Sequence, residues 1–157
     1  MRQVRHALAG AIGGLGATLL MSAVMLGARR LGLTAPLPPN KIAERVIETS
    51  TDRPSGEDEE RVVGSALHLG FGTMAGTAFG ILLGGAGPAP AVVLAGVGAV
   101  YATGIWLVSY QGWVPGLRIM PPATHDDRGR VATMIVAHWV YGIALGLTTS
   151  RLRRFLS

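Results

Sequence analysis

Charged and apolar positions separate into blocks along this chain rather than alternating. Four stretches, 7–28, 62–84, 91–111 and 131–150, hold no Asp, Glu, Lys or Arg, and each runs 20 to 23 residues. A helix needs roughly 20 apolar residues to cross about 30 Å of hydrocarbon. The pattern therefore predicts an all-α membrane protein: a four-transmembrane-helix bundle forming a single membrane domain over 1–157. A longer connection, 29–61, separates the first two spans. Within it, Lys41-Ile-Ala-Glu-Arg-Val-Ile-Glu48 puts Ile42, Ala43, Val46 and Ile47 on one helical face with charges opposite. That pattern predicts a short interfacial helix over 41–48, lying on the membrane surface. The Pro38-Pro39 and Pro121-Pro122 pairs read as rigid stops, because proline disfavours helix in the residue before it.

Composition sharpens the class. The chain has 157 residues, 49% of them hydrophobic and only 15% charged, with a mean hydropathy of +0.41. Soluble domains carry about 25% charged residues, so a soluble enzyme, a secreted disulfide scaffold and a nucleic-acid-binding domain are excluded. The pI near 10.7 then reflects basic anchors at a membrane surface rather than a nucleic-acid footprint. There is no cysteine, hence no disulfide or thiolate chemistry. Arg2 and Arg5 ahead of an apolar run resemble a signal peptide. That run spans 22 residues, against about 7–15 in a signal h-region, and the expectation is a retained first helix.

Four spans place both termini on one side. The terminal side carries Arg2, Arg5, Arg151, Arg153 and Arg154 and no acid, whereas the loop side holds all nine acidic residues and as many basic ones. A raw count of Lys and Arg favours loops in the cytoplasm. The uncompensated basic clusters at the ends favour cytoplasmic termini, which is the orientation expected here.

The chain also reads as duplicated. Ser55-Gly-Glu-Asp58-Glu-Glu-Arg61-Val62 parallels Thr124-His-Asp-Asp127-Arg-Gly-Arg130-Val131, each just before an apolar span. His68-Leu-Gly-Phe71-Gly72 with Gly76 parallels His138-Trp-Val-Tyr141-Gly142 with Gly146, and Gly32-Leu33 ahead of Pro38-Pro39 parallels Gly116-Leu117 ahead of Pro121-Pro122. The arrangement predicts two parallel-repeat helical hairpins about an axis along the membrane normal. Arg61 and His68 are seven residues apart but Arg130 and His138 are eight, a slip of about 100° on a helix. The S/T-x-x-D signature reads as a capping box variant on Ser55 and Thr124, with Asp58–Arg61 and Asp127–Arg130 as i,i+3 ion pairs.

Gly64, His68, Gly72, Gly76, Gly80 and Gly84 form an i,i+4 row on the second span, and His138, Gly142, Gly146 and Ser150 a shorter one on the fourth. Small residues at that spacing let membrane helices approach closely. His68 and His138 lie on these rows, roughly two turns in from the loop side. An ionisable group at that depth faces the bundle or a cavity and is a functional-site candidate. Three readings stand side by side. The imidazoles bond neighbouring helices, with Ser22, Thr103 and Ser109 as partners. They line a polar vestibule for ion, proton or small-solute passage, with Glu60, Arg61, Asp127 and Arg130 at its mouth. Or they ligate b-type haem between walls of Phe71, Trp106, Trp139 and Tyr141. Two imidazoles without thiolates do not make a structural zinc site, and His125-Asp126-Asp127 reads as a solvated helix start. No nucleophile motif, zincin motif or phosphate loop occurs.

At Pro36-Leu-Pro-Pro39, at His68 with Phe71-Gly72, at Pro121-Pro122 and at His138-Trp-Val-Tyr141-Gly142 with the basic tail to Arg154, the chain resembles the YagU-like proteins. That family of bacterial inner-membrane proteins is of unknown function. The resemblance implies a four-span bacterial inner-membrane protein and names no substrate, cofactor or catalytic residue. The expected function is non-enzymatic: a transporter or channel-like element, or an accessory subunit of a membrane complex. The alternatives are a bis-histidine haem redox protein and a purely structural accessory protein. The expected partners are the lipid bilayer, further copies of the chain or other membrane subunits, and no nucleic acid.

Overall fold

A computed structural model of the chain describes residues 2–34, 36–85 and 89–156. All its regular elements are helical. They run α1 (Arg2–Arg30), α2 (Pro38–Thr51), α3 (Glu57–Gly84), α4 (Ala91–Val108), a π-helical turn (Ser109–Trp113), a single α turn α5 (Val114–Gly116), a 3₁₀ turn (Ala123–His125) and α6 (Arg128–Leu156). Four segments, Arg2–Arg30, Glu57–Gly84, Ala91–Gly116 and Arg128–Arg153, are long and apolar enough to cross a membrane.

The ends of these helices follow local chemistry, and three depart from the sequence expectation. Pro38 and Pro39 do not stop a helix; they occupy the first turn of α2, where a missing N–H costs nothing and φ is already helical. α2 thereby runs from 38 to 51 rather than 41 to 48. Neither Ser55 nor Thr124 caps a helix. The N-cap of α3 is Gly56 without a side-chain bond, and Ser55 Oγ instead donates to Glu60 Oε1 at 2.7 Å. At α6 the cap is Asp127, whose Oδ1 accepts from the Arg130 backbone N–H at 3.0 Å. The carboxylate three positions beyond Thr124, directly before the first helical residue, takes the capping role.

The third departure concerns the Gly-Leu pairs. α1 ends in a Schellman motif: Gly32, at φ 70°, donates to Arg29 O at 3.0 Å, and Leu33 to Ala28 O at 2.9 Å. The same geometry recurs after α5, where Arg118 donates to Pro115 O at 2.9 Å and Ile119 to Val114 O at 3.1 Å. The left-handed position there is Arg118, at φ 56°, so Gly32 corresponds to Arg118 and not to Gly116.

Packing runs α3 to α1 to α6 to α4, with α2 laid across α3. The glycine rows set the two closest crossings. A Cβ on Gly14 would stand 2.6 Å from Gly72 O and 2.9 Å from Gly76 Cα, and one on Gly10 would stand 2.9 Å from Gly80 Cα. On the other side, a Cβ on Gly98 would lie 2.9 Å from Gly142 C, and one on Gly146 2.9 Å from Ala95 Cα. Side chains at these positions would force the backbones apart, so glycine is what permits the contact. The buried core between the helices gathers Met21, Met25, Phe79, Leu83, Leu94, Met134, Tyr141 and Leu145.

α3 and α4 share no comparable interface. They are bridged by the Tyr101 hydroxyl, which donates to Ala75 O at 2.9 Å, and by the Phe79–Tyr101 ring pair at 5.2 Å. The seam between them is the loosest in the bundle.

Candidate functional site

A cavity of about 290 Å³ lies in the loop-side half of the bundle. α1 contributes Thr18, Met21 and Met25, and α3 contributes His68, Phe71 and Ala75. α4 and its π turn add Ile105, Ser109, Tyr110 and Trp113, α6 adds Met134, His138 and Tyr141, and α2 roofs it with Pro38, Pro39, Ile42 and Val46. The wall is overwhelmingly carbon.

His68 and His138 line this one cavity from α3 and α6. The His138 Nδ1–H donates to Met134 O at 2.7 Å, within its own helix, because a carbonyl can only accept. That bond fixes the ring and, in the neutral imidazole, makes Nε2 an acceptor. His68 Nε2 is buried and has no hydrogen-bond partner among the described residues. Neither histidine reaches Ser22, Thr103 or Ser109. Thr103 Oγ1 instead accepts from Trp139 Nε1 at 3.1 Å, so the α4–α6 bridge falls to the residue beside His138. Phe71 and Tyr141 stand in the cavity wall, while Trp106 and Trp139 do not.

The four other candidates lie outside the wall. Glu60 accepts from Ser55. Arg61 is exposed and pairs with Asp58 at 2.9 Å. Asp127 caps α6. Arg130 pairs with Asp126 at 2.6 Å rather than with Asp127. Farther out, Arg53 binds both oxygens of Glu59, at 2.6 and 3.0 Å, and that carboxylate raises the Arg53 guanidinium above its ordinary range.

Two features went unseen in the sequence. The first is a polar chain at the cavity rim. The Tyr110 hydroxyl donates to Asp126 Oδ2 at 2.5 Å, and Asp126 Oδ1 accepts from Arg130 at 2.6 Å and from the Asp127 N–H at 2.7 Å. The Asp126 side chain is only 3% exposed, so this is a buried, fully partnered carboxylate and not part of a solvated helix start. The second is the π-helical turn Ser109–Trp113. π turns occur mostly as single-turn bulges within α-helices, frequently at functional sites, and this one delivers Ser109, Tyr110 and Trp113 to the wall. Gly112 and Pro115 were its only sequence signals. Proline has no N–H to close the preceding α turn.

Every hydroxyl in the wall is already committed as a donor. Thr18 donates to Gly14 O and Tyr141 to Gly72 O, both at 2.7 Å, and Ser109 donates to Ile105 O at 2.7 Å. Tyr110 serves Asp126. The imidazoles, with the indole N–H of Trp113 at the wall's exposed edge, are therefore the side-chain polar groups the wall leaves available. Among the described residues no group of three or more His, Cys, Asp or Glu is arranged to hold a metal ion.

No curated protein and no solved structure matches the chain. Residues 4–155 match a family described as a family of unknown function, DUF6789, and the chain belongs to that family.

Proposed function

We propose that this chain is a non-enzymatic, multi-pass membrane protein that holds a small, mostly apolar molecule in its loop-side cavity. It serves as the binding element of a transporter or as an accessory subunit of a larger membrane complex. One observation carries the reading: His68 Nε2 is buried with no partner among the described residues, in a mostly apolar wall whose hydroxyls are already bonded. An unsatisfied buried polar atom costs about 1–3 kcal/mol, and a histidine kept only to pack the bundle would be expected to find a partner. A molecule in the cavity supplies one, after a small turn of the ring about its broad terminal torsion. The wall holds no Asp, Glu, Lys or Arg, which favours an apolar occupant over a hydrated ion.

The architecture proposed for this role is two parallel-repeat hairpins, α1 with α3 and α4 with α6. It is supported by the matched glycine crossings, Gly14 on Gly72 and Gly98 on Gly142, and by the Schellman ends at Gly32 and Arg118. The proposed location is the bacterial inner membrane, on the resemblance to the YagU-like proteins at His68, His138 and the proline pairs. Both termini are cytoplasmic in this reading. The outer face of α4, with Gly96 and Gly104 open and Val92, Val100 and Val108 exposed, is the surface proposed for self-association or for another membrane subunit.

A second reading draws on the same pair. His68 and His138 share one cavity, and the His138 Nδ1–H bond to a backbone carbonyl is the outer contact that orients imidazole ligands of metals. Bis-histidine ligation of haem is the corresponding proposal.

Two measurements on one preparation separate these readings. The protein is purified in mild detergent, its visible spectrum recorded, and its organic extract analysed by mass spectrometry beside that of His68→Ala. The proposal expects no Soret band and a near-stoichiometric apolar molecule that is depleted in the variant. A stoichiometric Soret band selects haem. Identical extracts from both proteins, without a Soret band, remove the binding function and leave a packing role for both histidines.

A further inference from the structure

We infer that the occupant of the cavity is a quinone- or quinol-class lipid, its ring between His68 and His138 and its isoprenoid chain passing into the bilayer between α3 and α4. The inference rests on the binding reading above and adds the ligand class and its route. Four aromatic residues, Phe71, Tyr110, Trp113 and Tyr141, stand in the wall, and flat faces of this kind favour a flat ring over a flexible acyl chain. The polar demand points the same way. With the wall hydroxyls already donating within the protein, the groups left are two imidazoles on separate helices, beside the indole N–H of Trp113 at the exposed edge of the wall. A ring with oxygens at opposite edges offers a partner to each, where a fatty acid or alcohol has polar atoms at one end only. His138 Nε2 accepts in the neutral ring, which suits a quinol hydroxyl, and His68 Nε2 takes either role with its tautomer.

Size and access complete the argument. About 290 Å³ lies at the lower limit of small-molecule pockets, roughly 300–1,000 Å³, enough for a substituted ring but not for its chain. The chain must leave, and the loose α3–α4 seam is beside the ring. The wall residues Phe71 on α3 and Trp113 beyond α4 are 49% and 37% exposed, so the wall is not sealed on the side where α3 and α4 meet. A membrane-dissolved molecule reaches the cavity from that side without crossing water.

The test uses the full chain in lipid nanodiscs, with decylubiquinone and its reduced form as probes and quenching of the tryptophan emission as the readout. The expected result is saturable quenching at one probe per chain, beyond the partitioning seen in empty nanodiscs. His68→Ala should weaken it by about tenfold or more. His68→Gln, which keeps a hydrogen-bonding group and guards against a folding defect, should weaken it less. Quenching no greater than in empty nanodiscs, or unchanged in both variants, overturns the inference. Decanoic acid, followed by thermal stabilisation, separates the two levels. If it binds in a His68-dependent manner and the quinone does not, the ligand class is wrong and the cavity still binds lipid. If neither binds, the binding function falls as well.

Discussion

The Tyr110 hydroxyl and the Asp126 carboxylate meet at 2.5 Å, joining the π turn at the end of α4 to the segment that starts α6. Asp126 is held at the same time by Arg130 and by the Asp127 N–H. A buried carboxylate needs all its partners, because each lost contact exposes charge to an apolar surrounding. Tyr110→Phe keeps the ring in the cavity wall and its stacking on Trp106, at 6.0 Å, and deletes only the hydrogen bond. Bonds to charged groups contribute about 1.5–3 kcal/mol, so the variant should unfold at a lower temperature in detergent by that equivalent. An unchanged melting temperature would show that Arg130 and the Asp127 N–H satisfy Asp126 without the tyrosine.

The two left-handed helix ends give a cleaner torsional test. Nothing lies within 4 Å of a Cβ added at Gly32, so Gly32→Ala changes only the cost of holding φ at 70°. That cost is about 1–2 kcal/mol for a residue with a Cβ, and thermal unfolding should register most of it as destabilisation. Arg118 already bears it at φ 56°. Arg118→Gly should therefore be neutral to stabilising by about 1 kcal/mol, the relief being offset partly by glycine's extra freedom in the unfolded chain.

How far the fold was legible follows from where its signals reside. The four apolar helices could be read from charge-free runs, since each span is a local property of its own residues. The i,i+4 glycine rows announced close packing for the same reason. They could not announce their partners: Gly72 meets Gly14 and Thr18 on α1, and Gly142 meets Gly98 and Ala102 on α4. Asp126 looked like a surface residue because it sits in a polar run beside His125 and Asp127. Only the return of the π turn toward α6 buries it under Tyr110. The proline pair at 38–39 misled for a different reason, as a residue that ends one helix is equally suited to begin the next. Trp139 took the Thr103 contact expected of a histidine because its longer side chain spans from α6 to α4, while His138 found an acceptor one turn back.

Glycines on the two faces of the bundle should respond oppositely to the same change. A Cβ on Gly76 would lie 2.5 Å from Gly14 Cα and 2.9 Å from Gly14 N, both backbone atoms that cannot turn aside. Gly76→Ala should separate α1 from α3 and destabilise the bundle by about 1–3 kcal/mol, the usual range for overpacking. Gly96→Ala meets nothing within 4 Å and should leave the fold of the single chain unchanged. If the outer face of α4 associates with a second copy, Gly96→Leu should shift native mass spectra toward the single chain. An unshifted spectrum would place the association surface elsewhere or leave the chain alone.

The absence of cysteine makes sidedness directly measurable. Single cysteines at exposed positions report which side of the membrane they occupy when intact cells meet an impermeant maleimide. Thr51, at the end of α2, and Arg151, near the end of α6, are both exposed and lie at opposite ends of the bundle. Cytoplasmic termini require Thr51→Cys to label in intact bacterial cells and Arg151→Cys to label only after permeabilisation. Arg2, Arg5, Arg151, Arg153 and Arg154 have no acidic residue on their side, whereas the loop-side basics include Lys41, Arg53, Arg61 and Arg130, each paired with a carboxylate. If a neighbouring Asp or Glu weakens the retention of a basic residue on the cytoplasmic side, the ends, which carry no Asp or Glu, win and the labelling follows that order. The opposite order would mean that the raw number of Lys and Arg sets the orientation. The cavity under α2 would then open toward the cytoplasm.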